Sequence, residues 1–176
     1  MSTVRSTIAV LGDPHVGKTA LINSVCGETT QTVPTMRPQT TLKRIRLPDS
    51  ECTVDLLLTD CPSHYLALGH VKRVISECQY LLVVANCLDA ESLKNVDKWV
   101  EFFRDSTMAQ SVTGVLALTH AYEDASTFSL ETAAEVAARY GLELTRCSVA
   151  HVKECDAPFL RLAHLVRERP LVSGEE

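Results

Sequence analysis

No stretch of this chain approaches the roughly 20 consecutive apolar residues that a membrane-spanning helix requires, and the opening MSTVRSTIAV has neither the apolar core nor the cleavage pattern of a secretory leader. Lipid attachment is equally unprovided for. Ser2 stands where N-myristoylation needs glycine, and the tail LVSGEE offers no cysteine to prenylate. The expectation is a protein with no direct membrane anchor, whose membrane associations pass through a partner.

Paired cysteines are also missing. Cys26, Cys52, Cys61, Cys78, Cys87, Cys147 and Cys155 are scattered, with no close pair and an odd total, so neither a disulfide framework nor a zinc site is indicated and reducing cytosol fits best. Nor is there an excess of positive charge: the formal net charge is −5, which gives no general grip on nucleic acid. No nucleic-acid partner is expected. Internal repeats, low-complexity tracts and linkers are absent as well. With 176 residues, 45% of them hydrophobic, the chain is long enough for one core and short for two, so a single domain over 1–176 is expected.

What is present is a regular alternation of short apolar runs with helical patterns. STIAVLG (6–12), VDLLLTD (54–60), YLLVVAN (80–86), GVLALTH (114–120) and LELTRCS (142–148) have the length of strands buried on both faces of a parallel sheet. TLKRIRL (41–47) alternates instead, as an edge strand does, and the turn-like PDS after it predicts a hairpin with the next strand. Leu93, Val96, Val100 and Phe103 recur at helical spacing, predicting one amphipathic crossover helix. Leu130, Ala133, Ala134, Ala137 and Tyr140 do the same, with Gly141 at the place of a left-handed cap. Phe159, Leu162, Ala163 and Val166 form the stripe of a last helix, with Leu160 and Leu165 off it. The predicted fold is α/β: a six-stranded, mostly parallel sheet with one antiparallel edge strand and helices on both faces. Ligands of such sheets bind at the carboxyl ends of the strands.

At the end of the first strand stands LGDPHVGKTA. Gly12, Gly17, Lys18 and Thr19 satisfy G-x-x-x-x-G-K-[ST] between a strand and a helical pattern, the context in which backbone N–H groups and a helix N-terminus cradle a phosphate. The loop residues Gly12, Asp13, Pro14, His15, Val16, Gly17, Lys18, Thr19 and Ala20 are therefore the expected phosphate site. Lys18 is expected to reach the β and γ phosphates, and the Thr19 hydroxyl to ligate Mg²⁺. Asp60, closing the third strand in LLLTDCPSH, completes a metal and phosphate set.

This order of motifs resembles a P-loop small G domain of the Ras-like small GTPases, in their Rab branch, over nearly the whole chain. The resemblance implies GTP or GDP with Mg²⁺ as cofactors. It places Thr35, in VPTMRPQTTLKRI, where the family's metal-closing threonine stands, with Thr40 as competitor; the metal set is then Thr19, Thr35 and Asp60. It also exposes departures. In TDCPSH, Ser63 replaces a glycine whose N–H meets the γ-phosphate, and His64 replaces the glutamine that orients water, leaving His64 as the candidate catalytic residue. Where the family reads guanine through N-K-x-D, this chain has Thr119, His120, Ala121 and Tyr122, and the last base-contacting loop reads Ser148, Val149, Ala150. Thr119, His120, Ser148 and Val149 are the base-binding candidates. The missing carboxylate contact is worth about 1.5–3 kcal/mol, or about ten- to a hundredfold in affinity. Asp124 could substitute only if the loop bulges.

Within the Rab-like group, LGDPHVGKTAL, GLELTRCSV and CDAPFLRLAHLVRER resemble one kind of intraflagellar transport complex B subunit, whose partner is the small β-sandwich subunit 25. TDCP, VVANCLD and LALTHA resemble a second kind, which binds the coiled-coil subunits 74 and 81. The first is favoured. Either implies a place in cytoplasm and cilium or flagellum. Two functions remain: a small GTPase-like subunit binding nucleotide at micromolar strength with slow or no hydrolysis, and a pseudo-GTPase serving only assembly. A small P-loop kinase is disfavoured, because Arg161, Arg167 and Arg169 sit at the end of a terminal helix rather than on a lid.

Overall fold

The computed structural model describes residues 2–27, 34–48, 50–148 and 155–168. Strand β1 (Ser2–Gly12) leads through a loop into helix α1 (Lys18–Cys26), and β2 (Gln39–Arg46) and β3 (Cys52–Asp60) follow as a hairpin. After a 3₁₀ turn (Tyr65–Ala67) come α2 (Leu68–Ile75), β4 (Tyr80–Asn86), α3 (Ala90–Lys94), α4 (Val96–Thr107), β5 (Gly114–Thr119), α5 (Leu130–Arg139), β6 (Glu143–Arg146) and α6 (Ala157–Glu168). The six strands make one sheet in the order β2-β3-β1-β4-β5-β6. β2 is antiparallel to β3 and the other pairings are parallel, giving the expected sheet with its one antiparallel edge.

The period-2 alternation of the central strands divides the core into two layers. Ile8, Val10, Leu56, Leu58, Leu82 and Val84 face the side covered by α1 and α6, where Leu21, Phe159 and Leu162 pack. Ala9, Leu11, Leu81 and Val83 face the other side, against α2, α4 and α5 through Val71, Ile75, Val100, Phe103 and Ala133. Each fully buried Leu or Phe of these layers contributes about 1.5–3 kcal/mol relative to exposure. Among the described residues no helix is long and apolar enough to cross a membrane.

Three features differ from the sequence expectations. β1 starts at Ser2 rather than Ser6, because its backbone ladder to β3 extends to Ser2↔Cys52, where polar side chains carry no apolar signal. The single helix expected through Leu93 and Phe103 is interrupted at Asn95, which closes α3 by donating its N–H to Glu91 O. On α5 only Ala133 and Ala137 of the expected stripe are buried; Leu130 and Ala134 are exposed and Tyr140 is half-buried, since this helix packs chiefly beside β6 at the edge of the sheet. Gly141, at φ 67°, does take the left-handed position. On α6, Leu160 is exposed whereas Leu165 packs partly against the core.

One buried charge lies in the sheet itself. The Asp55 carboxylate has no exposed side-chain surface and accepts from Arg44 Nε at 2.7 Å and Nη2 at 2.9 Å, with Arg5 of the neighbouring strand at 3.5 Å. The Arg44 hydrogen bond, opposed by burial, holds the Asp55 carboxyl below its ordinary value. An unfolded carboxyl, near pH 4, takes its proton at higher pH than the folded one. The pair's contribution is therefore complete above about pH 4 and lost as pH falls through the lower folded value. Asp55→Asn is expected to lower stability at neutral pH and to flatten the acid limb of the stability curve below pH 4, as read by urea unfolding from pH 7 to pH 2.5.

Candidate nucleotide and metal site

The loop between β1 and α1 lies at the carboxyl end of a central strand, with β3 and β4 on either side. Its conformation is set by three residues with positive φ: Gly12 at 149°, His15 at 63° and Gly17 at 97°. Gly17 is the N-cap of α1, and its carbonyl accepts from Leu21 N at 2.8 Å, so the helix starts with its N–H groups at the loop. Pro14 and His15 are exposed at the tip, Val16 is buried beneath it, and Ala20 lies half-buried in the first turn of α1.

Lys18 is 7% exposed, and its Nζ donates to Gly12 O at 3.0 Å, Asp13 O at 2.9 Å and Ser63 Oγ at 2.6 Å. Burial, partly offset by Asp60, brings its ammonium down to about 8. An amine buried at this cost is one that a phosphate can stabilise.

The predicted metal residues converge. Thr19 Oγ1 donates to Asp60 Oδ2 at 2.5 Å and lies 2.7 Å from Thr35 Oγ1, which is itself 3.3 Å from Asp60 Oδ2. Thr40, the competitor to Thr35, is instead paired along the sheet with Thr59 at 3.2 Å. Asp60 is 4% exposed and burial raises its carboxyl above the usual range, while Oδ1 is buried with no hydrogen-bond partner. An orphaned carboxylate oxygen costs about 1–3 kcal/mol or more. Beside two hydroxyls it makes an all-oxygen donor set, which suits a hard cation such as Mg²⁺. No group of three or more His, Cys, Asp or Glu side chains placed to hold a metal ion occurs among the described residues, so these three would hold Mg²⁺ with phosphate oxygens and water completing its shell.

The base-binding candidates are less assembled. Thr119 is 1% exposed, and its hydroxyl donates to Val16 O at 2.7 Å, with Ala85 O at 3.2 Å; it ties the phosphate loop to the end of β5. His120 has φ 54° and pairs through Nδ1 with Glu123 at 2.5 Å. Tyr122 carries the Arg146 guanidinium 4.3 Å from its ring centre, and Asp124 is exposed farther along the loop. Ser148 is half-buried, its carbonyl accepting from Cys155 Sγ at 2.9 Å, and Val149 lies outside the described residues. His64 is exposed. Its Nδ1 accepts from Leu66 N at 3.4 Å, starting the 3₁₀ turn, and its ring leans on Tyr65.

Sequence reasoning missed a second support of the loop. The Asp13 carboxylate accepts from Asn95 Nδ2 and from Trp99 Nε1, each at 2.7 Å, which pins the loop to α4 and its approach. Asn95 and Trp99 stand four residues apart, on one side of a helical turn, and that spacing was the available signal. Nothing local connects them to a residue 82 to 86 positions earlier. The role of Ser63 was also missed: read as the loss of a glycine, its hydroxyl is in fact bonded to both Lys18 and Gly12 O.

Comparison with known proteins agrees with this architecture. The chain is 34% identical over 103 residues to the chloroplastic GTPase ERA1 of Zea mays, a match covering 53% of this chain and 24% of that protein. It is 26% identical over 167 residues to the intraflagellar transport protein 27 homolog of Bos taurus, covering 90% of both. The Ras family model matches residues 7–168, which span the sheet, the phosphate loop and the converging Thr19, Thr35 and Asp60: the chain belongs to the Ras family.

Proposed function

We propose that the chain is a GTP- and GDP-binding subunit of intraflagellar transport complex B, holding nucleotide weakly with Mg²⁺ and hydrolysing GTP slowly or not at all. The observation that carries the nucleotide reading is the convergence of Lys18, Thr19, Thr35 and Asp60 with a buried Asp60 oxygen left unpartnered. In this reading the loop N–H groups and Lys18 bind the phosphates, and Thr19, Thr35 and Asp60 hold Mg²⁺, which supplies charge neutralisation when bound. The base loop Thr119 to Tyr122 has no carboxylate at its fourth position, which supports weak base selectivity. His64, committed to starting its own turn, supports slow hydrolysis.

The complex B assignment is supported by the likeness to the intraflagellar transport protein 27 homolog along nine-tenths of both chains. It makes subunit 25 the first partner to test and subunits 74 and 81 the second, in cytoplasm and cilium or flagellum. The exposed Leu160 on α6 supports a contact there.

A specific observation favours the second reading, a pseudo-GTPase acting only in assembly. The loop is braced from within by Trp99, Asn95 and Thr119, and Lys18 finds three acceptors in the protein itself. The two readings separate by titrating nucleotide-stripped protein with GTP, GDP and ATP in Mg²⁺. The expected result is micromolar binding of guanine nucleotide, weakened by about tenfold or more in Lys18→Ala through loss of a charged hydrogen bond. No binding up to millimolar concentration would leave assembly as the function.

A further inference from the structure

Lys18 has three N–H donors, and each has a different acceptor: two carbonyls of its own loop, Gly12 O and Asp13 O, and the side-chain hydroxyl of Ser63. Ser63 in turn donates its one proton to Gly12 O at 2.6 Å, so its lone pairs face the ammonium and the three groups close a ring. The two loop carbonyls belong to the cradle itself. Ser63 belongs to the segment after β3 and is half-buried, so it is the acceptor that can leave without unwinding the loop.

A phosphate loop holds the first phosphates largely through its backbone N–H groups, and its lysine spans the β and γ phosphates. A diphosphate makes fewer demands on that lysine than a triphosphate. The third phosphate needs a Lys18 N–H, and the N–H most easily released is the one held by Ser63.

We propose that Ser63 determines how many phosphates the site accepts: its hydroxyl competes with the terminal phosphate for Lys18, and the site therefore favours nucleoside diphosphate over triphosphate. This rests on the nucleotide-binding reading above. Triphosphate binding must displace the Ser63 hydroxyl from Lys18.

The test is calorimetric titration of the nucleotide-stripped chain in Mg²⁺ with GDP and with a non-hydrolysable GTP analogue, for wild type, Ser63→Ala, Ser63→Gly and Ser63→Thr. Removing one charged hydrogen bond from the competition is expected to shift the triphosphate-to-diphosphate affinity ratio toward triphosphate by about tenfold in the Ala and Gly variants. Ser63→Thr, which keeps the hydroxyl, is expected to retain the wild-type ratio. A general loosening of the loop would weaken both ligands together and leave the ratio unchanged. Two side-chain deletions are used so that a folding defect in one leaves the other to read. Diphosphate binding with a ratio within twofold of wild type in both deletions overturns the proposal while the nucleotide reading stands. Absence of binding by wild type and all variants overturns the nucleotide reading and the Ser63 role together.

Discussion

Gly12→Ala is expected to lower the thermal unfolding midpoint by about 10 °C and to remove whatever phosphate binding the wild type shows. Gly12 has φ 149°, a region that side-chain-bearing residues rarely adopt, and a Cβ built there would lie 2.4 Å from the Val84 carbonyl oxygen. That atom is backbone of β4, paired with β1 at this residue, so it cannot swing aside as a flexible side chain could. Backbone strain of about 1–3 kcal/mol and an overpacking penalty of similar size give about 3–4 kcal/mol together. In a domain of this size each kcal/mol shifts the midpoint by about 2–4 °C. The carbonyl of Gly12 also anchors Lys18 and Ser63, so any shift here moves the phosphate-facing ammonium. Gly69 is the matching control: on α2 a Cβ would meet nothing within 4 Å. Gly69→Ala is expected to stabilise by about 0.5–1 kcal/mol through helix propensity. Calorimetric unfolding of both variants checks the sign difference, and an unshifted midpoint in Gly12→Ala would contradict the steric argument.

The second large effect is expected at Asp13. Its two carboxylate oxygens each accept a 2.7 Å hydrogen bond, one from Asn95 Nδ2 and one from Trp99 Nε1, and Trp99 is 2% exposed. Asp13→Ala strands a buried indole N–H, at a cost of about 1–3 kcal/mol, and removes a charged acceptor worth about 1.5–3 kcal/mol. A net loss of about 3 kcal/mol is expected by denaturant unfolding. Asp13→Asn, with one oxygen instead of two, should fall between wild type and Ala. Because the pinned residue lies inside the phosphate loop, nucleotide affinity should fall along with stability. Trp99→Phe, which keeps the ring and deletes the N–H, should reproduce the part owed to Trp99. Stability of all three variants equal to that of wild type would show that the contact braces nothing.

Much of the fold was legible because its signals are local. The central strands are apolar runs buried on both faces, and Phe159, Leu162, Ala163 and Val166 keep a helical stripe that α6 buries in full. The failures have equally local causes. Residues 2–5, polar except for Val4, announce no strand, because their pairing with β3 is made by backbone. Leu130 and Ala134 keep helical spacing but stay exposed beside the edge strand β6, and periodicity says which residues share a face, not how wide the surface beneath that face is. Asn95 keeps helical spacing too, yet the helix breaks where its side chain engages Asp13.

The sequence by itself determined the phosphate loop and the alternation of strands and helices around it. Gly12, Gly17, Lys18 and Thr19 form a contiguous pattern whose backbone demands only glycine can meet, and handedness and short connections leave few ways to arrange alternating strands and helices. Only the tertiary structure decided what the loop is bonded to. Lys18 to Ser63 spans 45 residues, Thr19 to Asp60 spans 41, Asp13 to Trp99 spans 86, and Thr119 to Val16 spans 103. Such contacts follow from the register of strands brought together by crossovers, and a hydrogen bond between distant residues leaves no periodic trace in either segment. Ser63 shows the consequence most directly: in the sequence it is a glycine lost, and in the folded chain its hydroxyl is a third acceptor for the phosphate-binding lysine.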